Sequence, residues 1–161
     1  KYAALKVLIG AAVAERRKAI AEQQCERVRK NVAAVAECMS NIEAEVGKAE
    51  AKSIPLNAAV RGRGLVSPDA VEAAADAVDT AVDAAQDFLV AAREQLQKLE
   101  GVDALEPEAA AVARREGLQH NLRLQNFDKR LARVAALSKQ AHDKVALHQK
   151  KAALLREASA L

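Results

Sequence analysis

One stretch dominates what this chain can fold into. From Asp69 to Leu99 the apolar and small residues fall at Val71, Ala75, Val78, Val82, Ala85, Leu89, Ala92, Leu96 and Leu99. Steps of four and three alternate without a slip. That spacing keeps one narrow stripe on one side of a helix, facing partner helices. Asp69, Glu72, Asp76, Asp79, Asp83, Asp87 and Glu94 flank the stripe, so the remaining surface of this helix is strongly acidic.

The same habit recurs on both sides. Residues 3–53 hold no proline, and their stripe becomes regular through Cys25, Val28, Val32, Val35, Met39, Ile42, Val46 and Ala49. Ile54–Pro55 is expected to end this first helix, because a residue before proline is pushed out of the α region. Ser67-Pro68-Asp69 then reads as a helix start: a capping serine, a proline in the first turn and an acid that favours the helix dipole. Gly101 supplies a left-handed stop. Glu106-Pro107-Glu108 opens a third helix, whose stripe runs through Leu124, Phe127, Leu131, Val134, Ser138, Ala141, Val145, His148, Ala152 and Leu155. Gly117 reads as a bend or a close helix approach. The expectation is an all-α, elongated antiparallel three-helix bundle with coiled-coil-like, alanine-rich packing. It forms one domain over residues 1–161, with helices at about 3–53, 68–100 and 107–160. The chain is 51% hydrophobic but only 2% aromatic, so helix backbones must approach over small side chains.

Charge is segregated. Net charge is only +3, yet residues 67–106 carry ten acids against two bases, while residues 107–161 carry eleven bases against five acids. The acidic row of the second helix is expected to be a solvated face paired with Arg123, Lys129, Arg130 and Arg133 on the third. Each exposed pair contributes roughly 0–1 kcal/mol, which selects an arrangement more than it stabilises one. Nucleic-acid binding is not expected, because no aromatics interleave the bases.

Chemistry is sparse in the sequence. The three histidines, His120, His142 and His148, show no metal-ligand spacing with one another or with carboxylates along the chain, and His120 and His148 lie near the seam. Aspartates at i, i+3, i+4 and i+7 on a helix lack the turn of a calcium loop. Phosphate-binding loops, nucleophile elbows and CxxC pairs do not occur. No catalytic residue, cofactor or metal is expected, and the reading is non-enzymatic. Cys25 and Cys38 stand about 20 Å apart on one helix, beyond disulfide reach, and are expected as free buried thiols. No apolar run reaches the roughly 20 residues of a membrane span. The start at Lys1 suggests a fragment or a mature product.

Two regions remain as ligand or partner surfaces. The long connection 54–66 carries Arg61, Arg63 and Leu65, with Ile54, Leu56, Val60, Leu65 and Val66 expected to anchor it. At the other end, Leu5, Leu8, Ile9 and Val13 on the first turns of helix one lie beyond what the shorter middle helix covers. A missing chain segment, a second copy or a bent-back start of helix three is expected to cover them. A protein ligand, or self-association through the bundle ends, would use these surfaces.

The wording of Asp76–Ala85, Leu96–Gly101, Asn121–Asn126, Ala141–Val145 and the opening Ala3–Val7 resembles the alanine-rich surface proteins of African trypanosomes. That group includes the glutamic acid/alanine-rich protein and the haptoglobin–haemoglobin receptor. The resemblance implies a cell-surface coat component or host-ligand receptor, held at the parasite membrane by a lipid (GPI) anchor outside this sequence. No binding residue of that group has a matching motif here. The alternative reading is an intracellular, cytoplasmic coiled-coil scaffold or cytoskeletal adaptor, which two free thiols and the lack of any Asn-x-Ser/Thr sequon also fit.

Overall fold

The computed structural model describes residues 1–64, 67–99 and 101–161, the side chain of Asp103 excepted. It is a three-helix bundle. Helices α1 (Tyr2–Val60), α2 (Pro68–Gln97) and α3 (Pro107–Ala160) are joined by short connections, the second holding a 3-10 turn at Val102–Ala104. The contacts fall into two compact units: Lys1–Met39 with Ala91–Arg123, and Ser40–Val90 with Leu124–Leu161. Each helix contributes a segment to both.

In the unit built on residues 40–90 and 124–161, Arg130 on α3 meets Glu43 and Glu50 on α1, and Lys144 further along α3 meets the end of α1. There α1 and α3 run in the same direction. The core is a seam of Ile42, Val46, Ala49 and Leu56 from α1, Ala75, Val78, Ala85 and Leu89 from α2, and Phe127, Leu131, Ser138 and Ala141 from α3. In the other unit, Val28, Val35 and Met39 pack with Ala92, Leu96 and Leu99 and with Ala109, Ala110 and Ala113. All nine stripe positions from Val71 to Leu99, eight of them in α2, are buried. Small side chains let backbones approach, so each helix buries a narrow strip while its flanks stay in water.

The first helix does not stop at Pro55. It runs on to Val60, so the connection to α2 is much shorter than the sequence suggests. A proline inside a helix removes one hydrogen bond, costing about 3 kcal/mol. Here Pro55 and Ala51, whose carbonyl loses its donor, both lie on the exposed side. Leu56 and Ala59, just beyond, are buried in the seam and hold the last turn in place. Ile54, expected to anchor a loop, is exposed, whereas Leu56 does anchor the chain as part of the helix.

The helix ends carry recognisable chemistry. Gly62, at φ 78°, closes α1 as a left-handed residue. Its N–H donates to the carbonyl of Ala59 at 3.0 Å, and that of Arg63 donates to Ala58 at 2.8 Å, the paired pattern of a Schellman stop. Pro68 is the first residue of α2 and Pro107 of α3, each followed by an acid. The Glu106 backbone N–H donates to Gln24 Oε1 of α1 at 2.6 Å, which places the start of α3 beside residue 24. Gly101 is left-handed at φ 107°, but α2 ends three residues before the expected 100, at Gln97, and its last turn tightens through Lys98 and Leu99.

Gly117 is not a close helix approach: α3 continues through it, and an added Cβ meets nothing within 4 Å. It borders a hollow of about 270 Å³ with Leu96, Leu99 and Ala113. Glycine in a helix interior costs about 1 kcal/mol relative to alanine. Gly117→Ala is therefore expected to raise the unfolding free energy by about 1 kcal/mol, read as a higher denaturant midpoint at unchanged slope.

Candidate functional site

The two regions singled out in the sequence fall in different units. Arg61 and Arg63 lie at the end of α1 in the second unit, whereas Leu5, Ile9 and Val13 lie in the first. Leu65 falls outside the described residues.

At the α1–α2 connection, a cavity of about 280 Å³ is lined by Ala59, Arg63, Pro68, Val71, Lys144, Val145 and His148, with Gly62 and Gly64. Its floor is apolar, from buried Ala59, Val71 and Val145. Its rim is cationic. Lys144 Nζ already donates to the carbonyls of Ala59 at 3.0 Å and Val60 at 3.2 Å, so it complements the negative end of α1. Arg63 is the other permanent charge at the rim. Arg61 is exposed. Gly62 has a structural role in stopping α1 rather than serving only as a flexible tip.

At the start of α1, Leu5, Ile9 and Val13 are 58%, 56% and 50% exposed, and Leu8 is exposed too. Among the described residues of this chain, the expected cover is not met. A bent-back start of α3 is overturned by its own burial: Ala109, Ala110 and Ala113 pack inside the bundle. The reason is stagger, since α3 begins beside residue 24 and has nothing to lay over the earlier turns. In the other unit α1 ends beside Lys144, and the stripe of α3 beyond it emerges at exposed His148 and Leu155.

The expected pairing of α2 acids with α3 bases is also revised. Arg130 turns to α1, where its guanidinium makes two hydrogen bonds to Glu50, at 2.8 and 2.7 Å, and one to Glu43 at 2.8 Å. It also lies over the Phe127 ring, 5.8 Å from the centroid. Arg123, Lys129 and Arg133 are exposed. The hydrogen bond from Arg130 holds the Glu50 carboxyl below its ordinary range against the opposing effect of burial, while the two carboxylates raise the Arg130 pKa and keep it charged. The stabilisation from a lowered carboxylate pKa is present above its unfolded value and lost as pH falls through the folded one. Arg130→Ala is expected to cost about 1–2 kcal/mol near neutral pH, between an exposed pair and a buried charged hydrogen bond. That deficit should shrink as acid protonates Glu50, measured by denaturation at pH 7 and at pH 3.

What does face the acids of α2 is a histidine. His142 Nε2 stands 3.0 Å from Asp79 Oδ2 and 3.8 Å from Asp76 Oδ1. No spacing along the chain announces this, because the partners sit on different helices. His120 is buried, with Nδ1 lacking a hydrogen-bond partner among the described residues. Burial, with help from the Arg123 charge, lowers its pKa against the pull of Glu116. His148 is exposed rather than seated in the seam. Cys25 and Cys38 are free and half-buried.

These features define an all-α three-helix bundle with a cationic cavity at one helix connection and an acid–histidine cluster between α2 and α3. No protein-family model, no curated protein and no solved structure matches the chain. Among the described residues, no helix is long and apolar enough to cross a membrane.

Proposed function

We propose that this chain is a non-enzymatic helical protein of a cell surface, a coat component or host-ligand receptor of the trypanosome type, held by a lipid anchor outside the sequence described. The observation that carries the reading is the seam itself. Helices of 59, 30 and 54 residues pack through a stripe rich in small residues, the alanine-rich helical pattern on which the resemblance rests. Such a bundle displays its helix connections rather than enclosing a reaction centre. The cavity beside Arg63 is then the place for a ligand contact, with an apolar floor and a positive rim.

The test is surface labelling of intact cells that make the protein, followed by phosphatidylinositol-specific phospholipase C. Labelling with release into the medium supports the reading. Protein shielded from label and retained with the detergent-insoluble cytoskeleton overturns it. That second outcome favours the scaffold reading, which has its own support in the exposed Leu5, Ile9 and Val13 stripe, a surface suited to self-association. Direct binding to haemoglobin complexes then separates receptor from coat.

A further inference from the structure

We propose that Asp76, Asp79 and His142 form a binding site for a divalent transition-metal ion of the zinc class, bridging α2 and α3. The three side chains offer two carboxylate oxygens and one imidazole nitrogen, and these atoms all lie within 4.8 Å of one another. Donors bound tetrahedrally at about 2.0–2.1 Å from an ion stand about 3.3–3.4 Å apart. The two His142 distances, 3.0 Å to Asp79 and 3.8 Å to Asp76, straddle that edge length. The remaining edge, between the two carboxylates, is within 4.8 Å.

The backbones that carry the donors are well fixed. Asp76 and Asp79, three residues apart on α2, share a face. Buried Ala75 and Val78 beside them, and Ala141 and Val145 flanking His142, pin both helices into the seam. Ser138 Oγ donates to the carbonyl of Ala75 at 3.3 Å and couples the helices one turn from His142. His142 is itself about a third exposed, with its side chain at 34%, so a solvent molecule can complete the coordination.

The donor set selects the ion. Two carboxylates with a neutral imidazole carry two negative charges, which a dication balances. Imidazole nitrogen favours zinc, nickel and copper, while magnesium and calcium prefer oxygen alone. Without a metal the same atoms form a histidine–carboxylate contact, and the two states differ in what they predict.

The experiment is titration of Zn²⁺ into the full chain after chelator treatment, by calorimetry, with Co²⁺ absorption as a spectroscopic readout. One ion per chain is expected. His142→Ala and Asp79→Asn should each weaken binding by at least about tenfold, the lower end of what losing even an outer-shell partner costs. Their helical circular dichroism should match that of the parent, since both positions lie at the solvent edge. His148→Ala, on the same helix, should bind as the parent does. Zinc should raise the unfolding temperature of the parent and not that of His142→Ala. Absence of saturable binding overturns the proposal. So do unchanged binding in His142→Ala, equal loss in His148→Ala, and displacement by equimolar Ca²⁺ or Mg²⁺.

Discussion

Leu56→Ala is expected to lower the unfolding free energy by about 2–5 kcal/mol, a large fraction of the total for a domain of this size. Leu56 is fully buried and sits one residue after Pro55, inside α1. The helix there works against the missing hydrogen bond of the proline, which packing must outweigh. Truncating Leu56 removes that packing and leaves the proline cost in place. The damage should therefore be local as well as global. Amide hydrogens of residues 57–63, including the Gly62 and Arg63 donors of the helix stop, should lose protection from exchange before the rest of α1. Pro55→Ala is the informative companion. It restores a donor at an exposed position and should stabilise the chain, on the order of the penalty a helical proline carries. If Leu56→Ala unfolds with the parent midpoint, or Pro55→Ala destabilises, the account of α1 past Pro55 is wrong.

Ala85→Leu is the second large effect, and its sign comes from the opposite defect. Ala85 is fully buried at the middle of the α2 stripe. A seam of alanines brings helix axes close, so added methylenes must push backbones apart or force poor rotamers. Overpacking of this kind costs about 1–3 kcal/mol. Ala91→Leu, at an exposed position of the same helix, supplies the control and should stay within about 0.5 kcal/mol. Both variants add the same side chain to the same helix, so propensity cancels and the difference measures the seam. Equal midpoints for the two variants would show that α2 does not pack tightly through Ala85.

Much of the fold was legible because it is written locally. The four–three spacing of α2 predicts nine buried positions from Val71 to Leu99, and all nine are buried. Pro68 and Pro107 mark helix starts by their own backbone chemistry. Pro55 misleads for an instructive reason. Its local preference is to end a helix, but Leu56 and Ala59 gain enough from the seam to carry the helix past it. The candidate site was legible only in part. Arg63 does line a cavity, but its rim includes Lys144 and His148, which lie about eighty residues away in the chain. The charge pattern of the sequence offers Arg130 to the acids of α2, and it serves α1 instead.

The sequence by itself determined that there are three helices, which strip of each is apolar, and where α2 and α3 begin. Those properties follow from periodicity and from turn residues, and both act within a few positions of chain. Only the tertiary structure decided how the helices are rotated and staggered against one another. That stagger leaves Leu5, Ile9 and Val13 without cover, because α3 starts beside residue 24. The rotation brings His142 to Asp76 and Asp79 and turns Arg130 toward Glu43 and Glu50. Charged flanks of similar composition are interchangeable along a sequence. Which of them meet is settled by side-chain packing in the seam, where many buried contacts outweigh any single exposed ion pair.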